Sequence, residues 1–359
     1  MMRRTSSQRP IPLRPTLISH RAGATLGRPR RRVRQPSPAL SSEQQRRAAE
    51  LEQELQLARD IQQGLLLEAA PRLPGWELAA VSLPARDLGG DLYDFLSLGG
   101  GAQGIMIGDV SGKGLSAALR MAVARTVFRH EARRGDDPGP TLAGVNRGVL
   151  SEIPQGMVTM LYLRLDPARG LLRIANAGHT FPLFVNGSVS ELELSGLPLG
   201  VDADSAYTEA SAEVGPGDTV ILYTDGVLEA ENRRGEIFSY ERLHALVAAN
   251  ARLRPRAMVA LLLQSLRGWS GGGQSDDVTI VVLRRRLASL DAELRGVADE
   301  VLGPERAAAF WDEAPSGGAA AAAWIAALPE LLRLAQARFG RGLGRELHQQ
   351  LRLTIEDYR

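Results

Sequence analysis

The pattern of apolar and polar residues predicts a helical N-terminal segment, a mixed central region and a helical C-terminal segment. Alternating or continuous apolar runs predict strands over 77–83, 91–97, 104–109, 157–165, 171–175, 180–185, 219–223 and 278–283. Helical spacing predicts helices over 115–131, 141–152, 240–250 and 255–269. Hairpins interrupted by helix pairs, without a regular strand–helix repeat, predict an α+β fold in which two packed antiparallel sheets are flanked by helices.

The segment 41–70 is predicted to be a helical linker, which ends before Pro71 and Pro74. Six positions recur at alternating steps of three and four residues and so share one face of the helix: Ala48, Leu51, Leu55, Ala58, Gln62 and Leu65. This spacing is typical of a short coiled coil with one polar position at Gln62. A single amphipathic helix packed on its own domain would show the same spacing, so both interpretations stay open.

Composition divides the remaining chain into three parts. Residues 1–38 contain ten arginines and no acidic residue, which predicts a disordered Arg-rich tail over 1–40. Such a tail is either simply solvated, in contact with nucleic acid or an anionic membrane through non-specific charge, or a transit peptide. Residues 71–286 form the predicted catalytic domain. Residues 287–359, which lack a convincing strand, form a predicted helical appendage of three or four segments, with breaks at 315–318 and 340–344.

Cysteine is absent from the 359 residues, which excludes disulfides, thiolate metal sites and a cysteine nucleophile and fits the cytoplasm. No apolar run approaches the roughly 20 residues that a transmembrane helix needs. The formal net charge is +2 despite the basic tail. We therefore predict a cytoplasmic protein with no specific nucleic-acid partner.

Four aspartates stand where an apolar, strand-like run meets solvent: Asp91, Asp109, Asp225 and Asp276. Taken singly, an Asp beside Gly after a strand is a common turn. Taken together, carboxylates at neighbouring strand ends repel one another unless a cation lies between them. Oxygen ligands favour Mg²⁺ or Mn²⁺, so the pattern predicts a two-metal hydrolase.

Lys113 is the one lysine of the chain, against 42 arginines, and it lies in the loop GDVSGKG. This loop is not a phosphate-binding P-loop, because that motif requires four residues between its glycines and a Ser or Thr after the lysine. Lys113 would either meet a phosphate or an acidic partner, or be an ordinary solvated lysine.

Five segments occur in the order GGDLYDF, GDVSGKGLSAALRM, NAGHTFPL, LYTDGVLEA and SDDVTIVVL. In these segments the chain resembles the metal-dependent, PPM-type serine/threonine phosphatases, specifically the bacterial branch of stage II sporulation protein E and RsbU. The resemblance covers about 57–283. It implies a sandwich of two antiparallel sheets, with two Mn²⁺ or Mg²⁺ ions at the sheet edge.

The resemblance also implies the roles of individual residues. Asp91 and Asp109 correspond to the metal-bridging aspartates, and the backbone carbonyl of Val110 takes the place where the family often uses glycine. Asp225 and Asp276 match the remaining ligands, with Asp277 as the alternative to its neighbour. The implied reaction is direct attack of a metal-bound water on phosphoserine or phosphothreonine, without a phosphoenzyme.

Three further residues are candidates for a supporting or substrate-binding role. His179 is either a general acid for the leaving group or a residue that pins the turn after Asn176. Asp94 is a candidate for supporting a ligand from behind, and Lys113 for binding the substrate. Leu92 stands where the family usually has an aromatic residue, a difference that affects packing more than chemistry.

The resemblance implies a phosphorylated regulator as partner, typically a STAS-type anti-anti-sigma factor, and it makes a homodimer through 41–70 plausible. Two alternatives from other classes are a non-catalytic signalling or dimerisation module and a two-metal phosphodiesterase.

Overall fold

The structure is a computed structural model that describes residues 42–65, 70–135, 137–153 and 156–358. The predicted Arg-rich tail 1–40 and residues 66–69 of the linker lie outside the described residues. Ala49–Arg359 forms one compact unit. This unit contains all the strands described here and the candidate site.

Two five-stranded antiparallel sheets form the centre of the molecule. The strands are β1 (Trp76–Leu83), β2 (Leu92–Ser97), β3 (Gln103–Val110), β4 (Val158–Asp166), β5 (Leu171–Ala177), β6 (Leu183–Val185), β7 (Val189–Glu191), β8 (Glu209–Glu213), β9 (Thr219–Tyr223) and β10 (Val278–Arg285). Sheet A has the order β1-β10-β9-β6-β7, and sheet B has the order β2-β3-β4-β5-β8. Each sheet therefore pairs strands that are far apart in sequence.

The helices lie on the outer faces of the two sheets and at the two ends of the chain. They are α1 (Ser42–Leu65), α2 (Leu115–Ala132), α3 (Pro138–Glu152), α4 (Ser239–Ala249), α5 (Pro255–Ser270), α6 (Leu290–Leu302), α7 (Pro304–Trp311) and α8 (Ala321–Glu356). Helices α2 and α3 share a hydrophobic core with sheet B, and α4 and α5 share another with sheet A. The α-β-β-α order predicted from the sequence is confirmed.

Alternation along the strands builds these layers, because successive side chains of a strand point to opposite faces. In β3, Ile105 and Ile107 pack between the sheets, together with Val281 and Leu283 of β10. Met106 points the other way, into the core beneath α2 and α3. A shift of one residue in register would move every side chain of the strand to the opposite face. Because both faces are buried, this would disrupt both cores, so the register and the position of the residue that ends each strand are fixed.

The two strands that the sequence analysis did not predict, β7 and β8, are short edge strands. Both are only partly buried, and β8 has the sequence EASAE, which lacks the β-branched and aromatic residues that indicate a strand. Tertiary pairing decides their conformation, since β8 pairs along β5 and β7 pairs with β6.

The C-terminal helices α6, α7 and α8 share a separate hydrophobic core that includes Phe310, Trp324 and Leu347. The predicted break at 315–318 is present between α7 and α8. The predicted break at 340–344 is reduced to one residue, Gly340, whose φ of 84° interrupts an otherwise continuous α8. In the part of the chain that is described, no helix is both long and apolar enough to cross a membrane.

Candidate metal centre at the edge of the two sheets

The aspartates predicted from the sequence lie on loops that meet at one edge of the sandwich. Asp91 immediately precedes β2, and Asp109 is the penultimate residue of β3, so both belong to sheet B. Asp225 follows β9 by two residues, and Asp276 precedes β10 by two residues, so both belong to sheet A. The candidate site therefore joins the two sheets.

Asp91 is the most buried of the four, with 3% of its surface exposed. Its Oδ2 accepts a hydrogen bond of 2.8 Å from the Thr224 hydroxyl, which in turn accepts one of 2.9 Å from the Thr279 amide. Burial raises the pKa of Asp91 well above its ordinary value, and the charge of Asp109 raises it further. Thr224 is a supporting residue that the sequence analysis missed.

Asp109 shares this electrostatic environment. Burial raises its pKa to about 7, with further contributions from the charges of Asp225, Asp276 and Asp277. Carboxylates from both sheets thus disfavour one another's charged forms. Such mutual repulsion is what a bound cation would relieve.

Gly90 allows the chain to approach Asp109 closely. A Cβ atom at Gly90 would lie 2.6 Å from the carbonyl oxygen of Val110 and 3.1 Å from Oδ1 of Asp109. Any side chain there would push apart the loop before β2 and the end of β3. The glycine in GGD therefore has a steric role that the sequence motif alone did not reveal.

Asp225 and Asp276 lie on the sheet A side of the edge. Asp225 is exposed at the surface, yet partial loss of hydration beside the surrounding protein raises its pKa, and the charge of Asp276 adds to this effect. Glu229, which the sequence analysis did not single out, is exposed as well, and its pKa is raised by partial loss of hydration and then by the charges of Asp225 and Asp276. It adds a further carboxylate at the rim of the site.

Lys113 contacts this side of the site from the loop that follows β3. Its Nζ lies 2.9 Å from Oδ2 of Asp276 and donates a hydrogen bond of 2.8 Å to the carbonyl oxygen of Ser275. With these two contacts, Lys113 is more than an ordinary solvated lysine. Oδ1 of Asp276 accepts a hydrogen bond of 3.0 Å from the Asp277 amide.

Asp277 differs from its neighbour, because both of its carboxylate oxygens accept backbone amides, whereas Oδ2 of Asp276 contacts the Lys113 side chain. The oxygens of Asp277 accept hydrogen bonds of 2.7 Å from the Ala85 amide and 2.6 Å from the Gly90 amide. Asp277 thus holds the loop that carries Asp91. This arrangement favours Asp276 as the ligand and Asp277 as its support.

His179 lies in the turn after β5 and is buried. Its backbone amide and carbonyl both bond the side chain of Asn176, and its Nδ1 lies 2.9 Å from the hydroxyl of Thr159. Burial lowers the pKa of His179 to about 4, so the ring is neutral at pH 7 and carries no excess proton. These contacts support the interpretation in which His179 holds the turn, rather than the general-acid role.

Asp94 lies on the other face of β2, where it is fully buried. Its Oδ2 is 3.1 Å from Nε of Arg125 and 2.8 Å from Nε of Arg129, both on α2. These contacts attach α2 to sheet B, and the role of Asp94 in supporting a metal ligand stays a prediction. Side chains alternate between the two faces only along a strand. Asp91 lies in the loop before β2, so its orientation relative to Asp94 does not follow from this alternation.

The donor set fits hard divalent ions, because it consists of carboxylate oxygens and one backbone carbonyl. Among residues that the structure describes, however, no group of three or more His, Asp or Glu side chains is already arranged to hold an ion. The carboxylates affect one another's pKa without forming a closed coordination shell. Ion binding would therefore involve side-chain adjustment, most directly at Asp276, whose oxygens are both engaged.

Comparisons with known proteins identify the family of the chain and proteins of similar fold. Residues 99–286 match the family model described as stage II sporulation protein E (SpoIIE). The chain is 29% identical over 242 residues to the phosphoserine phosphatase RsbU of Bacillus subtilis, which covers 66% of this chain and 72% of that protein.

Two solved structures are similar in fold. The SiaA-PP2C domain of Pseudomonas aeruginosa superimposes with a TM-score of 0.61 at 24% identity, covering 67% of this chain and 99% of that domain. The RsbU and RsbW domains of a Mycobacterium tuberculosis protein give a TM-score of 0.56 at 29% identity, covering 68% of this chain and 71% of that structure.

Proposed function

We propose a substrate and a mechanism for this chain from the premise that it belongs to the SpoIIE family, in its RsbU-like branch of PPM-type phosphatases, and is a protein serine/threonine phosphatase. The proposed substrate is phosphoserine or phosphothreonine on a cytoplasmic regulatory protein, a STAS-type anti-anti-sigma factor. A relative named phosphoserine phosphatase and a similar structure that combines RsbU and RsbW domains support this substrate. The proposed phosphatase domain is 71–286, between the helical linker 41–70 and the appendage 287–359.

The proposed ligands of two Mn²⁺ or Mg²⁺ ions are Asp91, Asp109, the carbonyl of Val110, Asp225 and Asp276. The observation that carries this assignment is that carboxylates from two different sheets raise one another's pKa at one edge. Two such ions would neutralise phosphoryl charge and lower the pKa of a bound water.

The protein's own residues would position these groups. Asp277 fixes the backbone of Gly90, and Thr224 orients the carboxylate of Asp91, so both hold the ligands in place from behind. His179 is buried and neutral, so the leaving alkoxide would take its proton from solvent or from another group at the rim.

A comparison of monoester and diester substrates tests this function. We expect Mn²⁺-dependent phosphate release from a serine-phosphorylated STAS-domain protein to exceed hydrolysis of bis-p-nitrophenyl phosphate roughly a hundredfold in kcat/KM, because contacts remote from the phosphate contribute only with the protein substrate. Phosphate release is followed in excess Mn²⁺ and again after EDTA. Equal rates on the diester would instead support the phosphodiesterase alternative, and release that persists in EDTA would refute the metal assignment.

We also propose that α1 serves as a dimerisation element attached to the site. Gln62 bonds the backbone of Gly89 in both directions, at 2.7 and 3.3 Å, so the polar residue of the predicted seam contacts the loop before Asp91. Leu57 and Ile61 remain 61% and 58% exposed, which leaves an apolar face for a second copy of the helix.

Ile61→Glu is expected to convert a dimer into a monomer in sedimentation velocity, because it places a charge in the apolar contact. Gln63→Glu, which changes an exposed neighbouring position, is the matched control and should leave the dimer intact. A wild-type protein that sediments as a monomer at all concentrations would rule out this role for α1.

A further inference from the structure

Lys113 is exceptional in this chain, because every other basic side chain except histidine is arginine. An arginine can serve any generic surface role, as the 42 arginines here do. Lysine differs in carrying a compact ammonium with three donors, whereas arginine has a broad planar fork. The single lysine lies at the candidate metal centre, where its ammonium contacts a carboxylate oxygen.

The contacts of Lys113 join the two halves of the site. The residue lies between β3 of sheet B and α2, and its partners Ser275 and Asp276 lie on the loop that leads into β10 of sheet A. The Lys113 side chain is 42% exposed and that of Asp276 is 34% exposed, so the ion pair is formed at the mouth of the site.

This ion pair occupies a proposed metal ligand. Oδ2 of Asp276 faces the Lys113 ammonium, and Oδ1 accepts the Asp277 amide, so each oxygen already has a partner. The ammonium also places a positive charge among the carboxylates on the sheet A side of the site. Lys113 thus provides, within the chain, some of the charge compensation that a divalent ion would provide.

We infer that Lys113 is a built-in counter-cation that competes with the divalent ion for Asp276 and thereby sets the metal affinity of the phosphatase. The inference rests on the proposed assignment of Asp276 as a ligand. Ion binding then displaces the ammonium from Oδ2. Lys113 acts through Asp276, so it is a positioning residue, and its positive charge offsets part of the repulsion between the carboxylates when the ion is absent.

A purely structural role for Lys113 predicts the opposite sign. If the residue only ties the two loops together, its removal loosens Asp276 and weakens ion binding. If it competes for Asp276, its removal frees Oδ2 and removes a positive charge beside a doubly charged ion, so binding becomes stronger. The direction of the change in metal affinity therefore separates the two roles.

The test is calorimetric titration of Mn²⁺ into the metal-stripped full chain. We expect Lys113→Met to bind Mn²⁺ roughly five- to tenfold more tightly, a size set by a half-exposed charge contact. Lys113→Arg keeps the charge and should stay within about threefold of wild type. Arg306→Met removes the same charge from an exposed position on α7 and is the matched control, with an expected change below about twofold.

Unchanged or weaker Mn²⁺ binding by Lys113→Met would overturn the inference while leaving the ligand assignment intact. A wild-type chain that binds no Mn²⁺ would overturn both. Thermal unfolding of each variant in EDTA checks that a change in affinity does not come from partial unfolding, and a melting temperature close to that of Arg306→Met is required.

Discussion

Asp225→Asn is expected to lower Mn²⁺-dependent kcat/KM on a phosphoserine protein roughly a thousandfold, the largest effect on activity that the structure predicts. Asp225 lies just after β9, where partial loss of hydration and the charge of Asp276 raise its pKa. An amide there removes a charged ligand and with it several kcal/mol of transition-state stabilisation. The measurement is phosphate release at saturating Mn²⁺.

The substitution keeps the size and the local turn of the native residue. The Asp225 carbonyl accepts the amides of Leu228 and Glu229, and these backbone bonds do not depend on the side chain. Removing one of several mutually repelling carboxylates should also leave the metal-free fold at least as stable as wild type. A loss of activity would therefore report on the site and not on unfolding.

The matched control is Asp299→Asn, which neutralises an exposed carboxylate on α6 and should keep full activity. Calorimetry supplies an independent check, since Asp225→Asn should also bind Mn²⁺ more weakly. An Asp225→Asn protein with more than a tenth of wild-type activity would contradict the assignment of this ligand.

The sequence allowed the strands that carry the site to be predicted because their apolar runs are continuous and end at charged residues. The predicted segment 219–223 matches β9 without change, and the predicted 278–283 lies within β10. A buried strand can satisfy its backbone only within the sheet, so a carboxylate at its end marks the boundary with solvent. The position of Asp109, Asp225 and Asp276 at the ends of such strands therefore suggested that they share one edge of the sheets.

Other features depend on partners that are distant in sequence and give no local signal. Asp94 is three residues from Asp91, yet its arginine partners on α2 belong to the opposite face of the sheet. Gln62 appeared as a defect in a coiled-coil seam, whereas its amide bonds the backbone of Gly89. The spacing of residues in a helix shows which positions share a face, but not what that face contacts.

The charged contacts between the central sheet and the C-terminal helices are a further feature that no local pattern indicated. Glu293 of α6 is 1% exposed and accepts hydrogen bonds of 2.8 Å from Arg284 and 3.0 Å from the Leu287 amide. Arg254, which pairs with Glu77, and Arg286 lie within 3.7 Å of the same carboxylate. The C-terminal helices thus supply part of the buried counter-charge for these three arginines.

Glu293→Leu is accordingly expected to lower the free energy of unfolding by about 3–5 kcal/mol, because it removes one of the two carboxylates that the three buried guanidinium groups share, the other being Glu77. Urea denaturation, followed by circular dichroism, measures the change. Glu305→Leu removes an exposed carboxylate from the first turn of α7 and should change stability by less than about 1 kcal/mol. A Glu293→Leu protein as stable as this control would show that the network contributes nothing.

A double substitution and a pH series separate the charge effect from lost packing. Adding Arg284→Leu to Glu293→Leu should recover part of the loss, since an apolar pair can replace a buried ion pair. Burial alone would raise the pKa of Glu77, but its hydrogen bond to Arg254 and the charges of Arg254, Arg286 and Arg284 outweigh burial and lower it. A lowered folded-state pKa means that this stabilisation is present above the ordinary pKa of glutamate and is lost as the pH falls through the folded value. Wild type should therefore lose its stability advantage over a Glu77→Gln protein only in acid, and an advantage that instead disappeared towards alkaline pH would exclude the Glu77 carboxylate as its source.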